Sequence, residues 1–401
     1  MNFIRCLHIT SAREALHEMG NAGVDPTGMK LMEGKAFHLN LKVERITPRV
    51  SNLLKQELLS LGGDAAVDGR GLDCSAESTD AILMGTQKQF EKLTVKLEEY
   101  PGFQHLGHTL RETLKNLSKT HCVLRCRKRT FTLGKKTLLM GVLNVTPDSF
   151  SDGGLFFEKE KAVDRGLQMV EEGADILDIG GESTRPASHP LSQEEELRRV
   201  IPVIESLSQK TDVPISIDTC KATVVREALQ AGAEIINDIS GLHSDPGLAE
   251  VAAQEKVPLI LMHIRGIPET MQRDVHYDSL FSEILQYLKT SIQRAESAGV
   301  DPDQIIIDPG IGFGKTVEHN LLILKHLSEF RILGKPILLG TSRKSFIGKV
   351  LNVEAIPERL EGTLASIAIG VWNGAHIIRC HDVPEAKKTI AVADAIRLAG
   401  N

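Results

Sequence analysis

Eight short apolar runs in the C-terminal two thirds of the chain each end in residues that can bind or react. Those residues are Asn144; Asp178, then Glu182, Ser183, Thr184 and Arg185; Asp218 and Thr219; Asn237 and Asp238; His263; Asp308; Ser342, Arg343 and Lys344; and Arg379, Cys380, His381 and Asp382. One polar residue after a strand is ordinary turn chemistry. A polar group after every run, most of them charged, describes one site if the strands are parallel. Asn144, Arg379 and His381 are of the types that donate to phosphate oxygens. Glycine pairs at 153–154 and 180–181, and the GIGFG stretch at 310–314, let backbone N–H groups approach an anion. The aspartates have no metal-ligand spacing. They suit a ligand with adjacent N–H donors, such as an amino-pyrimidinone edge, which a carboxylate engages two at a time.

The elements that must position these groups are legible in the periodicity. Strand patterns fall at 138–143, 175–179, 214–217, 234–236, 258–262, 304–307, 336–339 and 376–378. Amphipathic helical patterns at 158–172, 193–208, 222–231 and 280–298 lie between them. Eight βα units in about 270 residues predict an α/β fold, a (β/α)8 TIM barrel, whose strand ends all open on one mouth. A doubly wound open sheet is the runner-up, but no Rossmann glycine fingerprint is present. The segment 130–136 reads as a short hairpin able to plug the barrel bottom. The basic run 125–129 reads as a solvated junction. The domains are then 1–125, a small α+β domain of unassigned role, and 126–401, the barrel. In the first, strands are expected at 36–43 and 79–84 and helices at 48–61 and 87–98, a pattern compatible with a ferredoxin-like arrangement. His105 and His108 read as one turn of a surface helix.

A net charge of −6 over 401 residues argues against nucleic acid or an anionic membrane as the main partner. Six cysteines (Cys6, Cys74, Cys122, Cys126, Cys220 and Cys380) show neither CxxC nor zinc spacing. With no apolar leader and no membrane-length run, the expected location is the cytoplasm. Two decoys fall away. GIGFGKT at 310–316 lacks the first glycine of a P-loop, because Pro309 stands there. No nucleophile elbow supports a hydrolase.

Seven motifs in order carry a resemblance to a known family. They are MGVLNVTPDSFSDGG at 140–154, ILDIGGESTRP at 176–186, ISIDT at 215–219, INDISG at 236–241, IDPGIGFGK at 307–315, GTSRKS at 340–345 and IRCHD at 378–382. Together they resemble the dihydropteroate synthases, pterin-binding TIM-barrel enzymes of folate biosynthesis. The resemblance covers about residues 130–401. Cys380 departs from the expected aliphatic residue, but it packs as a small hydrophobe.

The resemblance implies that 6-hydroxymethyl-7,8-dihydropterin diphosphate condenses with p-aminobenzoate, by substitution at the pterin methylene. It implies pterin contacts from Asp218, Asn237, Asp308 and Lys344, with Met262 and Arg379 over the ring faces. Asn144, Arg379 and His381 would grip the diphosphate, with Mg²⁺ shared between Asn144 and phosphate oxygens. Thr184, Arg185, Pro186 and Ser345, with Phe150 and Phe313 on mobile loops, would shape the p-aminobenzoate pocket. The catalytic set would be Asn144, Arg379, His381 and Lys344. The partners are these small molecules, and barrels of this kind commonly pair as homodimers. Two alternatives are a methyltetrahydrofolate–corrinoid methyltransferase and a non-catalytic pterin sensor. Neither has use for the diphosphate-gripping Arg379-x-His381.

Overall fold

The computed structural model describes residues 3–399 apart from 8, 10, 73–76, 146–154, 183–190 and 274. The chain divides into two compact units, Met1–Ser118 with Leu398–Asn401, and Lys119–Arg397.

The larger unit contains eight parallel strands: β1 (Leu138–Asn144), β2 (Ile176–Gly180), β3 (Ile215–Asp218), β4 (Ile235–Asp238), β5 (Leu259–Met262), β6 (Ile305–Asp308), β7 (Leu338–Leu339) and β8 (Ile377–Cys380). Their order is β6-β5-β4-β3-β2-β1-β8-β7, and a parallel bridge between Ile307 and Ile337 closes the ring. This is a (β/α)8 barrel. The strands are buried on both faces, so their sequences are apolar runs without a polar alternate.

Inside that uniform burial the two-residue period still sorts side chains. Leu138, Met140, Ile176, Ile235, Ile260, Ile306, Leu338 and Ile377 form one apolar layer within the barrel. Leu139, Leu177, Ile215, Ile236, Leu259, Ile305, Leu339 and Ile378 pack outward against the helices. Two residues beyond the inner layer stand Asp178, Asn237, Met262, Asp308 and Arg379, with Asn144 four beyond Met140. The site residues therefore share the inward face by parity. Cys380 has outward parity and is fully buried in the helix-facing core, the small apolar role expected of it.

A hairpin, Cys122–Arg125 with Thr130–Leu133, precedes β1, and its Leu124 and Leu133 complete the inner layer. The bottom is thus plugged as expected, but the hairpin starts earlier than residue 130. Its turn is the basic run, so the reading of 125–129 as a solvated linker is corrected. Lys128 Nζ donates to the carbonyls of Ser208 and Thr211, and Arg127 to Leu229 O and Glu255. Those carbonyls end barrel helices, where cations offset the negative pole. The hairpin's membership of the larger unit also moves the division between units from 125/126 to 118/119.

The smaller unit is α+β. His38–Ile46, Thr79–Thr86 and Asp64–Val67 form an antiparallel sheet in that spatial order. Pro48–Ser60, Gln87–Glu99 and Gln104–Ser118 supply Leu54, Leu58, Phe90, Leu93, Leu97 and Leu110 to its core. Three strands in this order match a ferredoxin-like sheet without its fourth strand among the described residues. His105 and His108 are exposed on Gln104–Ser118, as a surface helix turn requires.

Candidate active site

Arg379, near the end of β8, links two acids from β2 and β3. Its Nε donates to Asp178 Oδ2 and its Nη2 to Asp218 Oδ2, both at 2.6 Å. Asn237 Nδ2 donates to the same Asp178 oxygen at 3.1 Å. Asp178 is fully buried, and its Oδ1 has no partner among the described residues. Two of the five guanidinium N–H groups are used in these bonds, and among the described residues nothing further takes the other three. Gly180 and Gly340 lie beside these groups: a Cβ at Gly340 would make ordinary contact with Arg379 Cβ at 3.8 Å, and one at Gly180 with Asp218 Cβ at 3.5 Å.

The carboxylates differ in their partners. Burial lifts Asp218 to about 7, with Arg379 opposing and Asp178 and Glu196 adding to the rise. The 2.6 Å contact to a guanidinium favours the ionised form of Asp218 against that burial. Asp308 accepts the Gly310 N–H at 2.7 Å, and burial lifts it to about 6 against that bond and the Lys344, Lys315 and Arg379 charges. Asp238 has outward parity. It accepts from the N–H groups of Ser240 and Leu242 and is a turn cap.

Lys344 precedes the helix Ser345–Leu351, and its Nζ lies 4.0 Å from the centroid of the Phe313 ring. Burial, then Arg379, push its ammonium down to about 8. Arg343 beside it forms a two-point pair with Asp382, which ties the loop after β7 to the loop after β8. Ser342 Oγ accepts from the His381 backbone N–H at 3.2 Å and lies 2.9 Å from His381 Nδ1. With its oxygen already accepting, the hydroxyl can donate to Nδ1, which assigns the imidazole hydrogen to Nε2. Burial, Arg379 and Arg343 push His381 down to about 3, so of the two forms in which a histidine can donate to phosphate it is the neutral one.

Ser345 is exposed at the start of its helix. Phe313, expected on a mobile loop, is 7% exposed and packs with Met262, Ile264 and Met271. Phe150, Thr184, Arg185 and Pro186 lie outside the described residues. The structure thus brings together Asn144, Asp218, Asn237, Met262, Asp308, Phe313, Lys344, Arg379 and His381. Sequence reasoning left Asp178 among unassigned strand-end acids, although its inward parity with Ile176 is visible. It also passed over Lys315, which is buried and bonded to His263.

A parallel barrel that aims buried acids, an amide and cations into one mouth defines an enzyme reading a small polar heterocycle with an anionic tail. The family model for pterin binding enzymes matches residues 140–381, and the chain belongs to that family. A dihydropteroate synthase of Synechocystis sp. is 51% identical over 266 residues, which are 66% of this chain and 92% of that one. A dihydropteroate synthase structure from Xanthomonas albilineans with 4-aminobenzoic acid superposes with TM-score 0.65 at 44% identity. It covers 70% of this chain and 100% of that one. A probable bifunctional folylpolyglutamate synthase/dihydropteroate synthase of Halobacterium salinarum is 41% identical over 396 residues. That match covers 97% of this chain, so it takes in the smaller unit too, and 46% of the relative. Within its family the chain falls among the dihydropteroate synthases.

Proposed function

We propose that the chain condenses 6-hydroxymethyl-7,8-dihydropterin diphosphate with p-aminobenzoate, giving 7,8-dihydropteroate and diphosphate. The observation that carries this is the inward ring of Asp218, Asn237, Asp308 and Lys344 around a guanidinium already fixed by two carboxylates.

The pterin is held by its edge. Asp308 and Asp218 accept from adjacent ring N–H groups, Asn237 completes the edge, and Lys344 donates to the ring carbonyl. Met262 lies against one face and the Arg379 plane against the other. The spare N–H groups of Arg379, His381 Nε2–H and the Asn144 carboxamide take the diphosphate. A single neutral oxygen from Asn144 suits Mg²⁺, which keeps its waters and takes other ligands from phosphates; bound there, it would supply charge to the leaving group. Bond breaking to diphosphate leaves positive charge on a methylene conjugated with the pterin, and p-aminobenzoate attacks through its neutral amine. No strong base is needed before attack, so positioning and leaving-group stabilisation do the work. Ser345 and Phe313 border the arylamine, with Thr184, Arg185, Pro186 and Phe150 assigned to it by sequence.

Two such chains pair through outer helices. Ile369 and Trp372 on Leu360–Trp372, and Val392 and Ile396 on Val383–Leu398, are 49%, 60%, 61% and 59% exposed, an apolar surface of the kind partners cover. Sedimentation would read a two-chain mass, and a single-chain mass would contradict the pairing. The site assignment is tested by Lys344→Ala, whose side chain makes no capping bond. Pterin diphosphate binding should fall at least about 100-fold with unfolding unchanged. Undiminished binding would remove the assignment.

A further inference from the structure

Lys315 is 3% exposed and takes no part in the chemistry above. Its Nζ donates to Phe313 O at 3.0 Å and lies 2.8 Å from His263 Nδ1. Burial, together with the Lys315, Arg265 and His243 charges, keeps the His263 ring neutral, so Nδ1 accepts and the ammonium donates. A buried ammonium whose hydrogen bonds, among the described residues, go to neutral acceptors is costly unless its charge is used.

Two features indicate the use. The first is mechanical. Between Asp308 and Thr316 the chain turns through Gly310, where an added Cβ would lie 1.9 Å from His263 O. Three successive carbonyls beyond it are tied down: Gly312 by Gln272, Phe313 by Lys315 and Gly314 by Tyr277. Lys315 is the tie that fixes Phe313, whose ring lies under Lys344 Nζ. The second is electrostatic. Burial pushes the Lys315 ammonium down to about 7, with Asp308 opposing the fall and Lys344 and Arg265 adding to it, so Asp308 is the anion that holds its charge, and Lys315 in turn favours the Asp308 carboxylate. The groups facing Asp308 are Lys344, Lys315 and Arg379, with the Gly310 N–H. Those facing Lys315 are Asp308, Lys344 and Arg265.

We propose that Lys315 is a positioning residue for the pterin: its ammonium clamps the 310–316 loop onto the end of β5 and keeps Asp308 an anionic acceptor for the ring. The inference rests on the dihydropteroate synthase reading and adds a group that never touches substrate.

The test is calorimetric titration of the whole chain with the pterin diphosphate from pH 5 to 9. In the unaltered protein, affinity falls as the pH drops through about 7 and then about 6, where Asp218 and Asp308 take up protons. Lys315→Met keeps the volume and removes the charge. Affinity at pH 7 should fall at least about tenfold, and the acid limb should move to higher pH because Asp308 has lost a cation. The groups facing Asp218 are Arg379, Asp178, Glu196 and Lys344, so its share of the limb should stay in place. Lys315→Arg should return the limb to its original pH. Lys315→Gln, which keeps a donor without charge, gives the same comparison should the methionine variant not fold. Affinity unchanged, or lowered with an unmoved limb, overturns the proposal. Absence of pterin binding in the unaltered protein would instead overturn the reading beneath it.

Discussion

Asp308 ends its strand with 6% of its surface exposed, and burial lifts its carboxyl to about 6 from an ordinary 3.8. That difference costs the folded state roughly 3 kcal/mol at pH 7, to order of magnitude. Because the folded value is raised, the penalty is fully present above about 6 and is gone below 3.8. Asp308→Asn keeps an acceptor for the Gly310 N–H and removes the penalty, though Lys315 and Lys344 lose their counter-charge. The melting temperature at pH 7.5 should therefore rise by roughly 2–5 °C, the gain fading toward pH 4, while pterin affinity falls at least about 100-fold. Thermal scans at both pH values with a pterin titration check this; a lower melting temperature at pH 7.5 would contradict it. At this scale, the identities of Asp218, Asn237, Asp308 and Arg379 were readable because each closes an apolar run, and Lys344 because it stands in the GTSRKS motif that follows one. Charge state was not. His381 is neutral and Lys315 is buried for reasons that lie in neighbours from distant strands, which no local spacing encodes.

All eight strands stand where the apolar runs fall, within a residue or two. The sequence limits stopped short of the acids, whereas Asp218, Asp238 and Asp308 are the last residues of their strands. The ladder, not a loop, aims them, and the two-residue period separates inward Asn237 from outward Asp238. β7 retains only Leu338 and Leu339. The hairpin plug was partly legible, but the docking of Arg127 and Lys128 on helix ends was not, because a basic run carries no sign of the carbonyls it meets. Leu124 in the plug is fully buried. Leu124→Ala should cost about 2–5 kcal/mol in denaturant unfolding. It lies at the end of the barrel away from the mouth, so KM for both substrates should not move. A raised KM at unchanged stability would mean the plug acts on the site instead.

The whole molecule joins a complete barrel to a second compact unit. The Synechocystis relative is matched over 92% of its length by 266 residues of this chain, so a barrel without the smaller unit is a whole protein there. The Halobacterium match extends across both units, which gives the smaller one a counterpart though not a role. Its sheet was only half legible: the strand Asp64–Val67 is four residues long, too short to show a period, and the helix Gln104–Ser118 starts without a cap signal. If catalysis belongs to the barrel, a chain starting at Lys119 should turn over like the full one. The most direct measurement supplies the pterin diphosphate and Mg²⁺ to both chains and follows diphosphate release with and without p-aminobenzoate. Release from both that depends on p-aminobenzoate is the predicted result. Tight pterin binding with no p-aminobenzoate-dependent release from the full chain would contradict the synthase account.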